Sequence, residues 1–475
     1  MAREYDVVIL GGGTGGYVAA IRAAQLGLKT ALVEKGKLGG TCLHKGCIPS
    51  KALLKSAEVF NTAKNHTSDF GVNVTDVSLD FGRVQARKDD IVKQLHGGVT
   101  ALMKKGKIDV FDGLGRMLGP SIFSPMPGTI SVEMNNGDEN EMLILKNLII
   151  ATGSRPRTLQ GLEIDETQVM SSDGALAMEA LPKSIIIVGG GVIGIEWASM
   201  LNDFGVQVTV LEYADRIIPT EDDDISKEMK KLLSKKGITF ATSAKVLPET
   251  LVKAKESVTI SAEMKGETTS FTAEKMLVSV GRQANVEGIG LDNTEIEIVN
   301  GFIKTRPTFQ TKEHHIYAIG DVIGGLQLAH VASHEGIAAV EHIAGLKNEA
   351  IDYTKISRCI YSSPEASSVG ITEKQAKEQG FDVKVGKFPF MAIGKALVNG
   401  NSDGFVKIIA DKKTDDILGV HMIGAHVTDL ISEAGLAMVL DATPWEVAST
   451  IHPHPSLSEV LGEAALAVDG KAIHM

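Results

Sequence analysis

The sequence predicts an α/β protein with two doubly wound, parallel-sheet units, the second inserted in the first, plus a C-terminal α+β domain. Three observations predict it: a glycine-rich strand-turn-helix pattern that occurs twice, apolar segments that cross between the two copies, and a change of pattern after about Ala350. At 475 residues, 43% of them hydrophobic, the chain is too long for one core and should divide into about three domains.

The repeat comes first. YDVVILGGGTGGYVAA, from Tyr5, and KSIIIVGGGVIGIEWA, from Lys183, each read as a buried strand, a glycine turn and a helix. Gly11, Gly13 and Gly16 fit G-x-G-x-x-G in the first copy, and Gly189, Gly191 and Gly194 fit it in the second. Each copy continues into an apolar strand, KTALVEK or VQVTVLE, that ends in an acid at a matched interval, 34 − 11 = 23 for Glu34 and 212 − 189 = 23 for Glu212. These are Rossmann-like dinucleotide-binding units. The glycines bring the turn's backbone against a pyrophosphate, the helix N-terminus stabilises its charge, and the acid accepts hydrogen bonds from the adenosine ribose. Glu212 would repel a 2′-phosphate, which favours NAD(H) over NADP(H) in the second unit, although Arg216 lies close by.

The segments LIIATGSRPR, Leu148 to Arg157, and MLVSVGRQANVEGIGL, Met276 to Leu291, are apolar strands running into Gly-Arg turns. They read as the crossings that make the second unit an insertion. HIYAIGDVIGGLQLAHVASHEG then supplies a strand ending at Gly320-Asp321 and a helix beginning near Ala329. Asp321 is placed either to hold a cofactor's polyol chain or to cap a turn. Beyond Ala350, GFVKIIADKKTDDILGVHMIG reads as a hairpin and VTDLISEAGLAMVLDA as an amphipathic helix. No phosphate loop occurs there, so this domain is expected to form an interface.

Composition narrows the function classes. A net charge of −11 without a Lys/Arg block argues against nucleic acid as a partner. No apolar run reaches bilayer length, and MAREYDVVILGGG enters a strand by Tyr5, leaving no room for a targeting segment. A cytoplasmic protein, or a trimmed organellar one, is expected. Three cysteines in this length are no secreted disulfide framework, so a bridge between Cys42 and Cys47 would be catalytic or redox-sensing.

Cys42 and Cys47 lie in GGTCLHKGCIPSK, Gly39 to Lys51. In a regular helix residues five apart are about 8.7 Å apart at Cα, whereas disulfides want under about 7 Å. A bridge therefore requires a distorted helix, which Gly39, Gly40 and Gly46 permit, with a regular helix resuming near Pro49. Such a strained bridge would be readily reduced. Spacing alone leaves open two unpaired structural thiols. Position favours a redox pair, since the thiols follow Glu34 closely and a flavin in the first unit would let them exchange electrons with a nicotinamide in the second.

HPHPSLSE, His452 to Glu459, is the other unusual stretch. Both histidines precede proline, which holds them extended. Ser456 and Glu459 fit the capping box S-x-x-E, giving Glu459 a structural role. Alternatively Glu459 orients an imidazole that takes a proton from a substrate thiol, since exchange runs through a thiolate.

Together GGGTGG, GGTCLHKGCIPSK, ATGSRPR, GGGVIGIE, VGRQAN, YAIGDV, LAHVASHEG and HPHPSLSE occur in the order found in the pyridine nucleotide-disulfide oxidoreductases, which the whole chain resembles. The likeness is to the members that oxidise protein-bound dihydrolipoamide with NAD+, within 2-oxo acid dehydrogenase complexes or the glycine cleavage system. The resemblance implies an FAD-binding domain over residues 1–154, an NAD-binding domain over 155–280, a continuation of the FAD domain over 281–350 and a dimerisation domain over 351–475. It implies that Cys42 attacks the substrate, Cys47 faces the flavin, and Lys51 lies near the flavin's reactive nitrogen, paired with Glu196. It implies FAD contacts from Thr41, Gly115, Thr152, Gly153, Ser154, Asp321, Gln327, Leu328, Ala329 and His330. For NAD it implies the stretch Gly189 to Glu196, with Glu212, Val246 and Gly281. His454, supported by Glu459, would be the acid-base and would serve the other subunit's disulfide, so a homodimer is implied. The substrate would be a lipoylated acyltransferase or the glycine cleavage carrier protein.

Some positions depart from the family pattern. His44-Lys45 stand where Asn-Val is frequent; Lys45 would lower a thiol pKa only if turned inward, and a solvated position is the ordinary expectation. Ser363 stands where a histidine often precedes PE, and Cys359 is expected to be buried and structural. A glutathione-disulfide reductase using NADPH shares the cysteine pair and the His-Pro motif, but normally has basic residues where Glu212 stands. A mercuric-ion reductase is disfavoured because the terminus DGKAIHM lacks vicinal cysteines. A flavin redox sensor is the alternative of a different class, against which His454 and the complete second unit argue.

Overall fold

The computed structural model describes residues 3–119, 129–347 and 349–474. The chain forms two compact units, one from Met1–Ala52, Gln85–Arg157 and Arg282–Ile351, the other from Leu53–Val84, Thr158–Gly281 and Asp352–Met475.

The first unit is built on a parallel sheet. Arg3–Leu10 pairs with Thr30–Glu34 on one side and Glu141–Ile150 on the other; Thr30–Glu34 continues to Asp109–Met117, and Glu141–Ile150 to Ile316–Ala318. Ile130–Met134 runs antiparallel to both Asp109–Met117 and Glu141–Ile150. Val7, Val8, Ile9 and Leu10 are all buried, as a strand covered on both faces requires. Helices Thr14–Gln25 and Ala329–Ile343 pack closely because a Cβ on Gly336 would stand 2.7 Å from the Gly15 carbonyl oxygen. The strand before Asp321 ends at Ala318 rather than at Gly320-Asp321: Gly320, at φ +72, turns the chain into a short 3-10 helix, Gly320–Ile323.

The second unit holds another parallel sheet, in the order Thr239–Ala241, Gln207–Leu211, Ser184–Val188, Lys275–Val278 and Val169–Met170. A three-stranded antiparallel sheet, Lys245–Lys253, Val258–Met264 and Glu267–Ala273, accompanies it. Its C-terminal part is a five-stranded antiparallel sheet ordered Arg358–Ile360, Glu365–Gly370, Ile417–Gly424, Phe405–Asp411 and Val383–Pro389. The expected hairpin is Phe405–Asp411 with Ile417–Gly424, and the expected amphipathic helix is Val427–Val439, whose Val427, Ile431, Ala434 and Met438 face the core. Among the described residues no helix is long and apolar enough to cross a membrane.

Two helix starts differ from expectation. The helix expected near Pro49 begins at Cys47 and runs to Asn65. Pro49 sits in its first turn, where a missing N–H costs no intrahelical bond. The helix after HPHPSLSE is Glu459–Ala467 with Ser458, not Ser456, at its N-cap. Only the returning half of the capping box forms, the Ser456 N–H donating to Glu459 Oε2 at 2.9 Å, while the Ser456 hydroxyl pairs with that of Ser458.

Candidate active site

Both glycine turns are braced in the same way. Glu34 Oε2 accepts the Gly12 N–H at 2.6 Å and its Oε1 the Gly36 N–H at 2.6 Å. Glu212 Oε2 accepts the Gly190 N–H at 2.5 Å and its Oε1 the Ala214 N–H at 2.7 Å. Gly11 and Gly189 take φ +105 and +108, and a Cβ on Gly16 or Gly194 would run into the carbonyl oxygen of Gly11 or Gly189. Gly13 and Gly191 are the N-caps of Thr14–Gln25 and Val192–Asp203, and neither helix start has a side-chain cap. Gly12 and Gly190 are missed by a G-x-G-x-x-G reading, in which the middle position is free. The middle glycine of each GGG was their signal.

Around the first turn, Ser154 and Asp321 are hydrogen-bonded side chain to side chain, and Arg282 donates to Ser154 Oγ at 2.7 Å and to its carbonyl at 2.9 Å. Buried Glu335 accepts the Gly320 N–H at 2.6 Å, holding the turn that presents Asp321. Neither Arg282 nor Glu335 was singled out in the sequence, although both lie inside its quoted motifs VGRQAN and LAHVASHEG. Thr152 Oγ1 donates to the Asn285 carbonyl, Asn285 Nδ2 returns a bond to the Thr152 carbonyl, and Gly153 takes φ +66. Gln327 reaches the Asp321 carbonyl at 3.5 Å; Leu328 is the N-cap of Ala329–Ile343, which places Ala329 and His330 in its first turn. Gly115 lies within Asp109–Met117, where the Leu10 side chain fills the space of a Cβ.

In the second unit Glu196 is buried on Val192–Asp203 and accepts the Tyr361 N–H at 3.0 Å. Val246 pairs with Ala262 in the antiparallel sheet, and Gly281, at φ +109, follows Lys275–Val278. Arg216 is committed locally: its guanidinium is ion-paired to Asp223 and donates to the Pro219 carbonyl at 2.7 Å.

The thiols lie beside the first glycine turn. Thr41 and Cys42 belong to a six-residue helix, Gly40–Lys45; Gly46, at φ −149 and ψ −114, breaks it, and Cys47 starts the next. The distortion that a bridge would require is therefore present. Both cysteines are in the thiol state. The hydrogen bond to Cys47 and then burial push the Cys42 thiol up, while the Lys51 ammonium acts the other way. Gly39 donates its N–H to the Gly12 carbonyl at 2.8 Å, and a Cβ on Gly40 would stand 2.6 Å from Gly13 Cα, so thiol turn and glycine turn are in direct contact. Lys45 is exposed, as expected. His44 is half-buried; burial pushes its imidazole down, His96 and Lys37 act in the same direction, and its hydrogen bond to the Leu38 carbonyl opposes them.

The two proline-flanked histidines differ. His452 is nearly buried, with Nε2 2.7 Å from Glu433 Oε1. His454 is 79% exposed, with Nδ1 2.8 Å from Glu459 Oε1. Burial pushes the Glu459 carboxyl up, but the Ser456 N–H and the His454 imidazole outweigh it and hold it below the usual carboxylate range. Cys359, expected to be buried, is half-buried, its Sγ 3.8 Å from the Thr428 carbonyl oxygen. The short strand Arg358–Ile360 lies at a sheet edge, which leaves it partly open. Ser363 has a structural place, accepting Lys236 Nζ at its carbonyl and donating its N–H to Ser199 Oγ.

Residues 5–336 match the family model described as pyridine nucleotide-disulphide oxidoreductase, and residues 356–465 match the dimerisation domain of that family. The chain belongs to the pyridine nucleotide-disulphide oxidoreductases. This oxidoreductase is 72% identical over 474 residues to dihydrolipoyl dehydrogenase of Bacillus subtilis, with 100% of each chain covered. It is 44% identical over 474 residues to the mitochondrial dihydrolipoyl dehydrogenase of Pisum sativum, covering 99% of this chain and 93% of that one. Among solved structures, LpdA from Mycobacterium tuberculosis is similar with a TM-score of 0.88 at 25% identity, covering 97% of this chain and 98% of that one. The flavoprotein disulfide reductase RclA from Escherichia coli is similar with a TM-score of 0.84 at 27% identity, covering 96% of this chain and 98% of that one. The fold expectation is thereby met: the oxidoreductase has the α/β nucleotide-binding architecture and carries the family's dimerisation domain.

Proposed function

We propose that the protein oxidises protein-bound dihydrolipoamide to lipoamide and reduces NAD+ to NADH through a Cys42-Cys47 disulfide, as a cytoplasmic homodimer. The observation that carries this reading is the contact of the paired thiols with the first glycine turn; the 72% identity to a dihydrolipoyl dehydrogenase supports it. In this reading FAD is held by residues 1–154 and 281–350, NAD by 155–280, and the interface is formed by 351–475.

Both dinucleotides fit the residues present. At each turn the backbone is bare where a Cβ would obstruct, and the helix start has no side-chain cap to compete with a pyrophosphate. Glu34 and Glu212 would accept hydrogen bonds from the two adenosine riboses. Thr41, Lys51, Gly115, Thr152 to Ser154, Asp321 and Gln327 to His330 would hold FAD; Glu196, Val246 and Gly281 would line the NAD path. Arg216, occupied by Asp223, is not offered to a 2′-phosphate, which supports NAD over NADP. When bound, FAD supplies a two-electron acceptor for the dithiol and NAD+ carries those electrons away as hydride.

The chain's own residues account for the remaining chemistry. His454, oriented by Glu459, takes the proton of one substrate thiol at its free ring nitrogen. The thiolate attacks Cys42 Sγ, a substrate-Cys42 bond forms, and the Cys42-Cys47 bond breaks with Cys47 leaving as thiolate. The second substrate thiol attacks the first sulfur, the substrate-Cys42 bond breaks, lipoamide closes, and Cys42 leaves with the proton of that second thiol. Two electrons thus enter the cysteine pair, and of the two substrate protons one rests on His454 and the other on Cys42, with Cys47 a thiolate. His454 would act on the partner subunit's cysteine pair, which makes the dimer obligatory.

Purified protein given dihydrolipoamide and NAD+ should form NADH, and a Cys42→Ser variant should keep its flavin and lose this turnover. Absence of NADH together with NADPH-driven turnover of glutathione disulfide would overturn the reading.

A further inference from the structure

Two histidines converge on one backbone oxygen next to the thiols. His44 Nε2 lies 2.9 Å and His96 Nδ1 3.0 Å from the Leu38 carbonyl oxygen, and their rings meet edge to face with centroids 5.2 Å apart. A carbonyl has no proton to give, so each ring nitrogen must be the donor: His44 carries its hydrogen on Nε2 and His96 on Nδ1. His44 lies between Cys42 and Cys47 in sequence, whereas His96 comes from the long helix Phe81–Lys105. The carbonyl they share immediately precedes Gly39, which is the N-cap of the Cys42 helix at φ +104 and donates its own N–H to the Gly12 carbonyl.

A six-residue helix does not support itself in water. This one also ends at the Gly46 break, so its position depends on what grips its start. His44 ties its last turn back to that start, and His96 ties the start to a separate 25-residue helix.

We propose that His44 and His96 are positioning residues for the Cys42-Cys47 redox pair: gripping the Leu38 carbonyl from both sides, they keep the Cys42 turn in place in the dithiol and disulfide states alike. The inference rests on the redox reading of that pair. A dithiol held this way closes at higher effective concentration, because the entropy of bringing the sulfurs together is already lost. Releasing the grip therefore destabilises the disulfide relative to the dithiol. The half-reaction is two thiols giving one disulfide, two protons and two electrons; glutathione disulfide takes up both protons and both electrons and becomes two glutathione thiols.

The test equilibrates the purified full-length protein with glutathione buffers of graded ratio, quenches with an alkylating agent and digests with trypsin. Cleavage after Lys37, Lys45 and Lys51 puts the cysteines on separate peptides, 38–45 and 46–51, so the bridge is read as a linked peptide pair. His44→Leu and His96→Leu should shift the equilibrium toward the dithiol by about 3- to 10-fold, tenfold being about 30 mV to less negative potential. His44→Gln places an amide nitrogen where Nε2 stood, and His96→Asn places one where Nδ1 stood; both should stay within about twofold of the parent. Parent-like behaviour of the leucine variants, or an equal shift in the amide variants, overturns the proposal. If the leucine variants do not fold, His44→Asn, whose amide stops short of the carbonyl, replaces them: a shift supports the proposal and parent-like behaviour overturns it. A parent protein that yields no linked peptides at any ratio defeats the redox reading itself, a result distinct from unshifted variants.

Discussion

His454 Nδ1 lies 2.8 Å from Glu459 Oε1, and the other oxygen of that carboxylate accepts the Ser456 N–H at 2.9 Å. One carboxylate thus orients the imidazole and is anchored by the loop it starts from. His454→Gln should lower kcat for dihydrolipoamide oxidation by about 10²- to 10⁴-fold, the usual range for a lost general base. Glu459→Gln keeps the shape but loses the charge and should cost about tenfold. NADH oxidation by an acceptor that draws electrons directly from the flavin bypasses the thiols; an equal loss in that assay would remove His454 from thiol chemistry.

Gly16→Ala and Gly194→Ala test the two turns separately. Each puts a Cβ against a backbone carbonyl that cannot move aside, Gly11 in one case and Gly189 in the other. Gly16→Ala should purify with little flavin by its visible absorbance. Gly194→Ala should retain flavin and raise the KM for NAD+ at least about tenfold, the effect of losing a single charged hydrogen bond.

Asp223→Asn should release Arg216 toward the ribose acid. The ratio of kcat/KM for NADP+ to that for NAD+ is expected to rise about tenfold, again one charge-assisted hydrogen bond. A ratio identical to the parent's would show that the Arg216-Asp223 pair does not set nucleotide choice.

His421 is wholly buried, with Nε2 donating to the Ile371 carbonyl at 3.0 Å, and it faces Glu221, Asp222 and Arg358, with Lys407 opposite on the neighbouring strand. Burial pushes its pKa below the ordinary histidine value, outweighing the two carboxylates. The unfolded chain therefore binds more protons near pH 6, and stability falls as pH drops through the unfolded value, by at most about 1.4 kcal/mol per pH unit for one proton. The thermal midpoint should decline from pH 7 to pH 5, and His421→Gln, which keeps a donor for Ile371, should flatten that decline. An unaltered slope in the variant would rule His421 out as its source.

The glycine turns, their acids and the C-terminal hairpin and helix were all legible in the sequence. Each is a local matter: a φ above zero, a strand period or a helix face is set within about twenty residues. The start of the helix at Cys47 was not, because the Gly46 break that permits it is a backbone choice that spacing only allowed. His452 and His454 have the same proline neighbour, and nothing local separates the buried partner of Glu433 from the exposed partner of Glu459.

By itself, then, the sequence determined the order of chemistry along the chain: nucleotide turn, thiol pair, second nucleotide turn, histidine loop. Only the tertiary structure decided which polar groups meet: Glu335 with Gly320, Arg282 with Ser154, Arg216 with Asp223, and His96 with His44 over a single carbonyl. Two of these four pairs, Arg282 with Ser154 and His96 with His44, lie far apart in sequence, and a polar side chain is satisfied by whichever donor or acceptor packing brings within about 3 Å.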